Sequence, residues 1–170
     1  MLWTVRTSLE PVEAVPVYRT ILGWAAGAAD RFVLLLALDR RQDARRLAAL
    51  RGLGRPTALT LGRPLGWVAQ LFFGPYRYEQ REGVPDAHLL ELLATTDPDD
   101  PCPVEVVQLC RGDRVIYRCD DYARDQTLEL EPDELSALEG ALSLAGLDPA
   151  RCLVRAPTRA SATHPTRPGA

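Results

Sequence analysis

Arg31-Phe32-Val33-Leu34-Leu35-Leu36-Ala37-Leu38-Asp39 is the stretch on which the fold turns. Seven apolar residues, Phe32 to Leu38, stand between two charged ends. They do not alternate with polar residues, so neither face is suited to water. The run is too short for a bilayer, which needs about 20 apolar residues. It reads as a strand buried on both sides, as in a sheet flanked by helices; a buried helical segment has the same periodicity.

Outward from this strand, the preceding segment is helical. Val17, Ile21, Trp24 and Ala28 recur at helical spacing, which predicts a helix over 17–29 after Pro11 and Pro16. Gly23 and Gly27, four apart, would let that helix pack closely on a sheet. Leu2 to Arg6 alternates and predicts a first strand. After the central strand, Asp39 and Gln42 resemble a capping pair for a helix to about Leu50, with Ala44, Leu47 and Ala48 inward. Gly52 and Gly54 end it. A short strand is expected over Pro56 to Leu61.

The second half is β-rich. Val104–Cys110 and Arg114–Asp120 flank Arg111-Gly112-Asp113, and Gly112-Asp113 suits a two-residue hairpin turn. That register sets Cys110 opposite Val115 and Cys119 opposite Val106. The two thiols then share a face without meeting, so no disulfide joins them. A third strand over Gln126–Glu131 precedes a helix begun by Pro132, with Leu135, Leu138, Leu142 and Ala145 inward and Gly146 at its end. Leu153-Val154 can add an edge strand. The expected fold class is α+β: an N-terminal strand-helix layer with a buried central strand, then a C-terminal three-stranded antiparallel meander followed by a helix. Residues 1–155 are expected to form one domain, with a possible subdomain boundary at the proline-rich 95–103. Residues 156–170 lack core formers and are expected to be disordered.

Composition removes several chemistries. The 170-residue chain is 46% hydrophobic and 25% charged, as for globular proteins generally. All 20 basic residues are arginine, and Lys and Asn are absent. That bias points to a GC-rich bacterial genome. Without lysine there is no Schiff base, no pyridoxal-phosphate attachment and no phosphate loop of the Gly-Lys-Ser/Thr kind. The N-terminus lacks the pattern of a signal peptide, which predicts a cytoplasmic protein with reduced thiols. The four cysteines show no Cys-x-x-Cys spacing. His88 and Glu91 share a helix face, but no third ligand accompanies them, so no metal and no cofactor is expected.

Charge is uneven. Residues 1–81 carry a net +6 and residues 82–155 a net −11, within an overall −3. Either the halves face each other or one of them meets a charged partner. Arg40, Arg41, Arg45, Arg46, Arg51 and Arg55 form the most basic stretch. A nucleic-acid reader needs such a patch, but the chain is acidic overall and carries no reader motif.

Five of eleven aromatics fall between Trp67 and Tyr78, among Arg63, Arg77 and Arg81. Tyrosine with arginine is typical of binding hot spots. After the Gly74-Pro75 break, Tyr76, Arg77, Tyr78 and Arg81 are the expected exposed binding residues. Alternation sets the tyrosines and arginines on opposite sides. For catalysis the candidates are Asp39, at the end of the buried strand, and the paired Asp120 and Asp121. Local cap and loop chemistry accounts for all three. The leading expectation is a non-enzymatic protein-binding or regulatory module with another protein as partner and no membrane. A small hydrolase or transferase using the acidic cluster is the second reading. An arginine-mediated nucleic-acid binder is the third.

Overall fold

A computed structural model describes residues 1–6, 9, 11–38, 44–57, 78–94, 104–120 and 125–156. Among these residues there are eight strands: β1 (Leu2–Val5), β2 (Arg31–Ala37), β3 (Arg55–Thr57), β4 (Tyr78–Gly83), β5 (Val104–Arg111), β6 (Arg114–Asp120), β7 (Asp125–Glu129) and β8 (Leu153–Arg155). The helices are α1 (Pro11–Ala28), α2 (Ala44–Gly52), α3 (Ala87–Ala94), α4 (Pro132–Leu144) and α5 (Pro149–Cys152). The strands make one sheet in the order β3-β4-β2-β5-β6-β7-β1-β8, with every neighbouring pair antiparallel. The fold is α+β as expected.

β2 is the strand that the apolar run predicts. Phe32, Leu34 and Leu36 join the core shared with the helices, while Val33 and Ala37 are buried on the other face. Leu35 alone of the central residues is only half-buried. Between them, the ladders to β4 and β5 match all seven β2 residues with partners, so β2 is interior to the sheet. α1 lies across β5 and β6 and against α3 and α4, and α2 meets α3. Tyr18 Oη donates to the Leu93 carbonyl (3.4 Å), and Arg19 Nε to that of Ala94 (3.1 Å), tying α1 to the end of α3.

α1 begins at Pro11, six residues earlier than its apolar spacing predicts, with Pro16 inside it. Proline removes one N–H bond. Burial of Val17, Tyr18, Ile21, Leu22 and Ala25 just beyond it offsets that loss. Gly23 and Gly27 lie on the exposed face, with nothing within 4 Å of an added Cβ, so they are not a packing seam. In α2 the inward residue is Leu50, followed by Leu53, whereas Ala48 is exposed and Leu47 half-buried.

The β5–β6 hairpin has the expected turn, with Gly112 at φ 60° and Arg111 paired with Arg114. Cys110 faces Val115 as expected. The register then slips by one: Leu109 faces Tyr117, leaving Ile116 as the extra residue of a bulge. Cys119 therefore faces Val107, not Val106. The bulge carries Tyr117 and Cys119 into the helix-side core, while Cys110 stays on the opposite face. The two thiols do not share a face. Cys110, Cys119 and Cys152 are free and buried.

β5, β6 and β7 form the expected meander, but β1 does not sit beside β2. It lies between β7 and β8 at the far side of the sheet. α4 follows the meander with Leu138 and Leu142 buried and Gly146 past its end at φ 76°; Ala145 is exposed. The expected Asp39 cap, the loop over 95–103 and the tail from 157 onward lie outside the described residues.

Candidate binding cleft

β2, β3 and β4 end together, and their ends frame an open cleft of about 530 Å³ lined by Asp30, Arg31, Gly54, Arg55, Glu82, Gly83 and Val84. The antiparallel register sets Arg55 directly across from Glu82, and Glu82 across from Val33, two residues along from Arg31. Cross-strand partners share a face. Arg31 Nη1 thus reaches Glu82 Oε1 at 3.2 Å. That hydrogen bond holds the Arg31 guanidinium above its ordinary pKa. Arg31 also pairs across the sheet with Cys110, whose thiol is pushed up by burial. Asp30 Oδ2 accepts the N–H of Gly112 at 2.8 Å, which joins the cleft to the β5–β6 turn. Arg55 is exposed, and its guanidinium bonds no described side chain. Val84 on the rim is 73% exposed.

The cleft wall requires glycine at two points. Gly54 has φ 54°, and a Cβ there would sit 2.1 Å from the Glu82 carbonyl oxygen. A Cβ on Gly83 would meet the Phe32 ring at 2.7 Å. The backbones of β3 and β4 approach this closely only without side chains.

Arg81 braces this wall. Its Nε donates to the Leu53 carbonyl (3.0 Å), Nη2 to that of Gly54 (2.9 Å), and Nη1 to Glu79 Oε1 (3.0 Å). Glu79 also takes Arg51 Nε of α2 at 2.7 Å. Burial raises the Glu79 pKa, but the hydrogen bonds from Arg51 and Arg81 outweigh it and leave the group lowered. The Arg81 side chain is 11% exposed and stands behind the cleft, so it is not the exposed binding residue that the sequence predicts. Tyr78 is half-buried and pairs with Ala37 on the face opposite Arg81, as alternation predicts. Tyr76 and Arg77 lie outside the described residues.

Of the acidic candidates, Asp39 and Asp121 lie outside the described residues. Asp120 accepts Arg118 Nε at 2.6 Å and Nη2 at 2.8 Å, so both its oxygens are engaged. His88 and Glu91 are 4.0 Å apart and exposed. Among the described residues no three His, Cys, Asp or Glu side chains gather as metal ligands. No described helix is long and apolar enough to cross a membrane. A smaller cavity of about 230 Å³ is lined by Arg6, Leu9, Glu13 and Arg151, the last two ion-paired at 3.0 Å.

Sequence reasoning missed Asp30, Arg31 and Glu82 as a group, because 51 residues separate Arg31 from Glu82 and only the β2–β4 ladder unites them. It also missed Glu134. This carboxylate is 5% exposed and accepts Arg114 Nη1 (2.8 Å) and Nη2, Arg111 Nη1 (3.2 Å) and the N–H of Glu131 (2.9 Å). The bonds from Arg114, chiefly, hold its pKa at about 2 against the opposing effect of burial. With its acceptors filled, Glu134 is a fastening between the hairpin and α4. Compared with known proteins, the chain matches no family model, no curated protein and no solved structure.

Proposed function

We propose that this protein is a non-enzymatic binding or regulatory module of the bacterial cytoplasm that meets another protein at the cleft of Asp30, Arg31, Arg55, Glu82 and Val84. The observation that carries the reading is the contrast in how charges are used. Glu79, Arg81, Asp120 and Glu134 are all bonded within the fold, whereas Arg55 stands on the rim with no described partner beside the exposed Val84. A backbone held by the Arg81 hydrogen bonds and presenting exposed charge and an apolar side chain suits recognition, and specificity resides in such charge patterns.

The test uses a photo-crosslinking amino acid at Val84 in the full chain, in cells. One discrete protein product is expected. Once purified, that protein should bind the native chain saturably, at least about tenfold more weakly to Arg55→Ala, and unchanged to Arg155→Ala at the far sheet edge. An absent cross-link, or binding indifferent to Arg55→Ala, overturns the proposal.

A further inference from the structure

Resting on that reading, we infer that the cleft docks an extended partner segment of dipolar character, with an acidic side chain toward Arg55 and a basic one toward Asp30. The charges of the cleft divide by position. Arg31 and Glu82 neutralise each other at its middle. Arg55, on β3, forms one lip, and Asp30, at the start of β2, forms the other. β4 lies between these strands. With strands about 4.8 Å apart, the backbones of the lips are separated by roughly 10 Å of sheet, and the Asp30 carboxylate, held by the Gly112 N–H on the β5 side of β2, stands somewhat farther from Arg55. Residues i and i+2 of an extended chain share a side and lie about 7 Å apart, and long charged side chains supply the remaining reach.

An acidic segment would satisfy Arg55 and be repelled by Asp30; a basic segment would do the reverse. A dipolar segment is complementary to both lips, and like-charge contacts exclude the other two. A small zwitterion has its charges too close together to span the lips. Ligand pockets usually enclose most of a small ligand, whereas the exposure of Asp30, Arg55 and Val84 leaves this cleft open. A longer chain lying over the rim, with an apolar contact on Val84, suits that shape.

The probes are blocked tripeptides titrated into the full isotope-labelled chain and followed by amide chemical shifts. Glu-Ala-Arg should move the amides of residues 30, 31, 54, 55 and 82–84 saturably. Glu-Ala-Glu and Arg-Ala-Arg should bind at least about tenfold more weakly. Arg55→Glu should transfer the preference to Arg-Ala-Arg. Asp30→Asn, which keeps an acceptor for Gly112, should abolish the discrimination against Glu-Ala-Glu. Equal response to all three peptides, no localised shifts, or equal binding of free alanine overturns the inference. If the Val84 cross-link still identifies a partner whose binding depends on Arg55, the inference fails and the binding-module reading stands.

Discussion

Glu134 illustrates how a single residue gains its role from position. In sequence it is one of two acids in the first turn of a helix, where a carboxylate usually does little more than complement the helix dipole. In the fold it is buried and shared by two arginines of the β5–β6 hairpin and the backbone of Glu131. Removing its charge leaves Arg114 facing a poorer acceptor beside the core. Glu134→Gln should therefore lower stability at neutral pH by about 2–3 kcal/mol. The sign of the pH dependence follows from its lowered pKa. An unfolded glutamate titrates near 4.5 and this one near 2. Its contribution is complete above about 4.5 and is lost as pH falls through 2. The shift caps that contribution at roughly 3 kcal/mol, less because Arg111 is mostly solvated. Urea midpoints at pH 7 and pH 3 should differ less in Glu134→Gln than in the parent. An equal difference would show that other groups govern the acid side.

Among the elements, the β5–β6 hairpin and the α2–β3 turn make opposite points. The hairpin is written locally: two β-rich runs, a Gly-Asp turn, and a pairing that starts as composition suggests. Only the bulge at Ile116 escapes local reasoning, because a bulge is chosen by which side chains the core accepts. Tyr117 is fully buried, with its hydroxyl donating to Gln126 Oε1 at 3.2 Å. A regular register would have turned it away from the helices. The α2–β3 turn depends instead on Arg81, a residue 27 positions from Gly54. Arg81→Met keeps the length and apolar stem but removes three donors. A loss of about 1–3 kcal/mol is expected, with faster amide exchange confined to residues 53–55. Binding at the cleft should weaken as well, since the wall carrying Arg55 is no longer braced. Unaltered exchange at these amides would show that the glycine geometry alone sets the turn.

At the scale of the molecule, the sheet joins both halves of the chain through the β2–β5 ladder. Among pairs with both members described, one, Arg31–Glu82, joins an arginine of the basic half to an acid of the acidic half; the others lie within a half or run in the opposite sense. A charge asymmetry of this kind, +6 over residues 1–81 and −11 over residues 82–155, is the sort that steers a charged partner. Stability of the whole rests on β2. Leu34 is 0% exposed and packs in the helix-side core, whereas Leu35 is half-buried on the other face. Leu34→Ala should cost about 2–5 kcal/mol. Leu35→Ala should cost clearly less, and equal urea midpoints for the two would contradict the assignment of faces.

The apolar run of β2, the turn at Gly112, the meander and the helix after Pro132 were all determined by sequence alone. Each depends on residues within a few positions of one another, where periodicity, turn chemistry and capping act directly. Tyr78 and Arg81 were legible as a strand's two faces for the same reason. The place of β1 beside β7, the bulge, the burial of Glu134, the withdrawal of Arg81 and the cleft itself were decided only by tertiary structure. Strand order and register are chosen by total burial over the whole sheet, a quantity no short window contains. Arg31 and Glu82 became a pair because β2 and β4 are neighbours. A site built across strands therefore becomes visible only once the sheet is assembled.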